Sequence, residues 1–150
     1  MATTNYNGKT VQELSAYTDS IRITHADLTA AATTQTITKA VKAGQQIRGA
    51  AFKVHTAFNG GATSALSLDV GDGVDGDGYI DGEEIHVDAT EVLFGPVLGG
   101  LLNGKTYAVD DTIDILFTAT GANLSVLDAG EVEIFFNIIS LNDVSADFAS

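Results

Sequence analysis

Ile47-Arg-Gly-Ala-Ala-Phe-Lys-Val-His-Thr-Ala-Phe-Asn-Gly-Gly-Ala-Thr-Ser-Ala-Leu-Ser-Leu-Asp-Val70 decides the fold of this chain. Two runs alternate apolar with polar or small residues, Ile47 to Phe58 and Leu66 to Val70, and they flank Asn59-Gly60-Gly61. Period-two alternation marks a strand with one buried face. On the first run Ala50, Phe52, Val54, Thr56 and Phe58 share a face, with Arg48 at its start emerging at the rim, while Lys53 and His55 point the other way. The Asn-Gly-Gly step between the runs predicts a hairpin. The returning strand then turns Leu66, Leu68 and Val70 inward.

The same period continues on both sides. Upstream, Ile21–Thr24 and Gln35–Lys39 are short strand candidates, separated by a Thr/Ala loop and followed by a turn at Ala43-Gly44. Downstream, Thr112–Thr120 aligns Ile113, Ile115, Phe117 and Ala119. In Glu131–Leu141, Val132, Ile134, Phe136 and Ile138 share one face, and Phe135 and Ile139 make the other partly apolar. Thr120-Gly-Ala-Asn123 and Asp128-Ala-Gly130 are turns between these strands. Seven or eight strands with turn chemistry between them predict an all-β chain, an antiparallel β-sandwich of jelly-roll-like type.

Residues 1–20 read as an N-terminal arm, 21–141 as the sandwich and 142–150 as a polar tail. In the arm, Thr10-Val-Gln-Glu13 fits a capping box, and Val11, Leu14 and Tyr17 fall at helical spacing, which predicts a helical turn or two. So short a helix is marginal alone and needs a surface to dock on, either its own sandwich or a partner.

Charge is unevenly spread over the 150 residues. Residues 1–53 hold six bases and three acids, whereas 54–150 hold one base, Lys105, and 17 acids. An acidic body of this kind does not bind nucleic acid by neutralising phosphates. The basic third suits an acidic protein partner, with Arg22, Lys39 and Lys42 as docking cations beside Val11, Leu14 and Tyr17. There is no Cys, which excludes a disulfide framework and thiolate metal sites. The N-terminus lacks the pattern of a secretory signal. The longest apolar run, Val92 to Leu102, is broken by Gly95-Pro96 and Gly99-Gly100 and is too short to span a bilayer, so no membrane association is expected. It reads as a buried or interface-forming loop ahead of an Asn103-Gly104 turn and Lys105–Val109.

Asp69 to Glu91 holds nine carboxylates and no base, which predicts a solvated loop, a cation site or both, with a short strand Ile85–Val87 leaving it. Within it, Asp75-Gly-Asp-Gly-Tyr-Ile-Asp-Gly-Glu-Glu84 resembles the calcium loop of EF-hands and dockerins. Asp75, Asp77, Asp81, Glu84 and the Tyr79 carbonyl fall at ligand spacing, with Gly78 at the sharp turn. Position 1 is Gly73 where Asp is usual, with Asp72 adjacent, and the flanks read as strands. The expectation is a weak Ca²⁺ site, or else a hydrated Asp/Gly loop.

No G-x-S-x-G, H-E-x-x-H or P-loop occurs, and Gly71-Asp-Gly-Val-Asp-Gly76 has nucleotide-loop spacing but carboxylates that would repel a phosphate. His25, His55 and His86 are scattered. The residues point to a binding or structural protein rather than an enzyme.

Several stretches together resemble small virion proteins of tailed bacteriophages, of the capsid-decoration or head-stabilising kind. They are Ile23-Thr-His-Ala-Asp-Leu-Thr29, Val54-His-Thr-Ala-Phe-Asn-Gly-Gly61 with Leu68-Asp-Val-Gly-Asp-Gly73, and Phe117-Thr-Ala-Thr-Gly-Ala-Asn-Leu124 with Ala129-Gly-Glu-Val-Glu-Ile134. The resemblance implies a β-sandwich homo-oligomer, often a trimer, made in the host cytoplasm and seated on the major capsid protein or another virion protein. A calcium-binding adhesion or carbohydrate-binding module of a tail or fibre is the alternative that the acidic loop suggests.

Overall fold

A computed structural model of the chain describes residues 17–86 and 105–142. Seven strands form two antiparallel sheets that pack face to face as a β-sandwich. They are β1 (Asp19–Thr24), β2 (Thr34–Val41), β3 (Gln45–Asn59), β4 (Ala65–Gly71), β5 (Ile80–Glu84), β6 (Asp111–Thr120) and β7 (Ala129–Ser140). One sheet runs β1-β7-β3 and the other β2-β6-β4-β5. Among the described residues no helix is long and apolar enough to cross a membrane.

The period-two pattern fills the core. Ile113, Ile115, Phe117 and Ala119 of β6 and Val132, Ile134 and Phe136 of β7 are buried, as are Leu66, Leu68 and Val70 of β4. At about 25 cal/mol per Å² of apolar surface, each fully buried Ile, Leu or Phe contributes roughly 1.5–3 kcal/mol. The outward residues Phe135 and Ile139 of β7 remain half-buried, and Tyr17 lays its ring on Phe135 at 6.1 Å between centroids. Tyr17 and Thr18 already lie along β7, where the Thr18 amide donates to the Phe136 carbonyl, so strand structure starts inside the expected arm. Residues 1–16, 87–104 and 143–150 lie outside the described residues, and with them Val11, Leu14, the run Val92–Leu102 and most of the expected tail.

Three expectations are corrected. Asn59-Gly60-Gly61 is not a hairpin: β3 pairs with β7 and β4 with β6 and β5, so the step carries the chain from one sheet to the other. The apolar faces of the two runs meet across the core instead of sharing a ladder. Positive φ at Gly60 and Gly61 lets the backbone make this corner.

The face of β3 is also interrupted. Arg48 is exposed, as expected at the rim, but Ile47 is buried beside it and Thr56 is exposed between buried Val54 and Phe58. Register shifts between Ile47 and Gly49 and on both sides of Thr56 absorb the extra residues.

Finally, the acidic stretch carries a strand at Ile80–Glu84, where a loop is expected; of Ile85–Val87, His86 forms one bridge to Phe58 and Val87 lies outside the described residues. Ile80–Glu84 is a short edge strand, so Asp81 and Glu84 stay in water while Ile80 enters the core.

Phe58 fixes the corner. It is buried against Phe117 of the opposite sheet, at 6.2 Å between ring centroids, and a Cβ on Gly130 of β7 would fall within its ring. Gly130 also has φ +139, a conformation other L-residues rarely adopt. Gly130→Ala is expected to cost on the order of 2–4 kcal/mol in urea unfolding, from overpacking and backbone strain together. Adding Phe58→Leu should cost less in the Gly130→Ala background than in the wild type, because it relieves the clash. Equal costs would show that the ring is not what Gly130 accommodates.

Candidate functional site

The acidic stretch is tied down by one buried carboxylate. Asp72 is 2% exposed, and its Oδ1 accepts the amides of Val74 at 2.9 Å and Asp75 at 3.0 Å. Its Oδ2 accepts from the Lys105 ammonium in an ion pair and from the Tyr107 hydroxyl at 3.1 Å. The Tyr107 hydroxyl stands 2.7 Å from that of Tyr79, which is wholly buried. Burial pushes against the charge of Asp72, but the Lys105 bond and the two amides outweigh it and hold the carboxyl below its ordinary range. Burial pushes the Tyr79 phenol up to about 12 and raises Tyr107 as well, so both hydroxyls stay protonated and can donate.

Lys105 is the one base after Lys53. A lone cation among 17 acids is the sequence signal for this pair. What the sequence hides is which of the 17 takes it. The segment of Lys105 also carries the backbone of Tyr107, whose amide donates to Gln45 and whose carbonyl accepts from Gly44, so the acidic loop is laced to the β2–β3 turn.

The residues aligned with a calcium loop are dispersed between loop and strand. The adjacent Asp77 carboxyl first, then desolvation and the charges of Asp77 and Asp72, raise the Asp75 pKa. Tyr79 turns its side chain into the core, and Asp81 stands exposed on β5. Glu84 accepts the amides of Leu66 at 2.9 Å and His86 at 2.8 Å. Among the described residues no three His, Asp or Glu side chains gather as a metal cluster.

A second polar cluster crosses the outer face of the β1-β7-β3 sheet. Glu133 accepts from Arg22 at 2.9 Å and from Ser20 at 2.9 Å, and stands 2.9 Å from the His55 ring. Arg22 also pairs with Glu131 at 2.8 Å. Bonds from His55 first, then Arg22, hold the Glu133 carboxyl down to about 2. Although Ser, His and Glu meet here, the carboxylate lies between the other two. Ser20 donates to Glu133, a carboxylate held too acidic to take its proton, and not to the imidazole, so the Ser–His contact of an activated serine is not formed here.

Each cation expected to engage a partner has an acid in its own chain. Arg22 pairs with Glu131 and Glu133, Lys39 with Asp19 at 2.7 Å, and Lys42 with Asp110 at 2.8 Å. Of the apolar docking residues, Tyr17 rests on Phe135 of its own sheet. The basic third is thus used in part to neutralise the acidic body.

His86, at the end of the acidic stretch, is buried, and among the described residues neither ring nitrogen has a hydrogen-bond partner. Compared with protein-family models, with curated proteins and with solved structures, the chain matches none.

Two outcomes follow from these geometries. Lys105→Met leaves the Asp72 charge buried without its cation and should cost about 3 kcal/mol at pH 7, the low end for a broken buried pair because Lys105 keeps 28% of its side-chain exposure. The depressed Asp72 pKa contributes stability above its unfolded value of 3.8, and this is lost as pH falls through the lower folded value. Urea midpoints measured from pH 7 to pH 2 should therefore fall less steeply in Asp72→Asn than in the wild type, with the remaining slope owed partly to Glu133. Parallel slopes would mean that Asp72 is not held as described.

His86→Leu removes two buried polar atoms that have no hydrogen-bond partner among the described residues and should raise stability by about 1 kcal/mol. A loss in thermal melts would show that the imidazole has a partner in solution.

Proposed function

We propose that this chain is a non-enzymatic structural protein of a bacteriophage virion, one that decorates or cements the capsid shell as a homo-oligomer. The observation that carries the reading is the two-faced strand β7. Its inner face builds the core, and its outer face offers Phe135, against which the ring of Tyr17 packs, and Ile139, both half-buried. Apolar surface on the outside of a sandwich is the usual sign of an interaction surface. The all-β sandwich is also the fold that the resemblance to decoration proteins implies.

The surrounding charge supports the same orientation. Arg48 and Lys53 lie on β3 of this sheet, whereas the Asp75–Glu84 region belongs to the edge of the other. A strongly acidic body approaches most surfaces best through the part with fewest acids.

The test begins with virions of the phage that encodes the chain. Mass spectrometry of purified particles should find it in many copies, and recombinant protein should co-sediment with capsid shells stripped of it. Phe135→Asp with Ile139→Asp should reduce co-sedimentation at least about tenfold, a loss of roughly 1.4 kcal/mol, with the melting curve little changed. Absence from particles overturns the proposal. Glycan binding together with a Ca²⁺-dependent rise in melting temperature would replace it with an adhesion or carbohydrate-binding module.

A further inference from the structure

An open sandwich has four edge strands, and three of these are guarded against pairing with another chain. β5 spans Ile80–Glu84, carries Asp81, Glu83 and Glu84, and is displaced from β4 by a register shift. β1 spans Asp19–Thr24 and bears Asp19 and Arg22. β3 is broken by three register shifts and bridged to Thr106 and, at Phe58, to His86. Short length, charge, bulges and cover are the devices by which proteins keep sheet edges from joining.

Among the described residues β2 has the fewest of these: no register shift, no bridge to another segment and a single charge. Thr34–Val41 pairs with β6 over eight consecutive residues without a register shift. It ends the sheet order β2-β6-β4-β5, and among the described residues no backbone group pairs with its other edge. Its exposed residues Thr34, Thr36, Thr38 and Ala40 are uncharged. Its one charge, Lys39, is taken by Asp19.

Charge identifies the occupant. The chain carries −13, so two copies repel one another over most of their surface. From Leu28 to Leu68, however, there is no Asp or Glu, and β2 and β3 lie wholly within that span. β2 is thus the regular, open edge at which a second copy meets no acid of the strand itself. An antiparallel pair of identical strands is self-complementary, because each edge offers the same alternation of donors and acceptors under a two-fold axis.

We propose that β2 pairs antiparallel with β2 of a second copy, joining two four-stranded sheets into one continuous sheet. Such an interface closes on itself, so the oligomer is a dimer in place of the trimer that the resemblance implies. This inference does not rest on a virion role and can hold for an adhesion module as well.

Sedimentation velocity of the full chain across micromolar concentrations should show reversible association to twice the 15.5 kDa chain mass. Thr34→Glu with Thr36→Glu, whose partners on β6 are the uncharged Thr118 and Leu116, places acids on the edge that each copy presents to the other, and should weaken the dimer at least about tenfold while the melting curve of the single chain stays in place. Val109→Glu with Val126→Glu adds the same charge at exposed positions elsewhere and should leave the dimer intact. A wild-type chain that remains at 15.5 kDa throughout overturns the proposal. So does a dimer that survives the β2 substitutions, or one that the two variant pairs weaken equally.

Discussion

Phe58 holds the two halves of this sandwich together. It lies at the end of the longest strand, with Phe117 of the opposite sheet on one side and the bare backbone of Gly130 on the other. The corner at Asn59-Gly60-Gly61 begins one residue after this ring, so the ring is anchored where the chain leaves β3 for the second sheet. Leu66, Leu68 and Val70 then face the same core from the other side. One aromatic contact therefore sits where sheet order, corner geometry and core closure coincide.

Around this core the charge is arranged to be tolerated, not balanced. Among the described residues every acid but Asp72 is exposed or only half-buried, within reach of water. Asp72 is the exception, and its burial is matched by a cation, a phenol and two amides. The arrangement converts a flexible-looking Asp/Gly sequence into a loop anchored to the segment around Tyr107. The ion pairs of Arg22, Lys42 and Lys105 each tie distant parts of the sequence together. At exposed sites such pairs contribute little stability, typically 0–1 kcal/mol, but they select which surfaces can lie side by side.

Much of the candidate surface was legible before any coordinates. The alternation in Glu131–Leu141 already showed Phe135 and Ile139 on a second face, and the structure places them outside the core. The Ser20, His55, Glu133 and Arg22 cluster was not legible. Those residues come from three strands whose neighbours in the sheet are distant in sequence, and only register sets them within bonding distance. The calcium-loop spacing was legible as spacing alone. Glu84 is turned instead to the amides of Leu66 and His86 by the pairing of β5 with β4.

By itself the sequence determined that the chain is all-β, which residues face inward on β4, β6 and β7, and that its charge divides into a basic third and an acidic remainder. These are local properties: side-chain period is two along any strand, and charge can be counted. Tertiary structure alone decided that the Asn-Gly-Gly corner switches sheets, that Ile80–Glu84 is the edge strand, and that Asp72, of all the acids, takes Lys105. A turn residue specifies how sharply the backbone bends but not which strand receives it. That choice is made by the partner offering the longest unbroken apolar face, and β7 and β6 offer theirs from far along the chain.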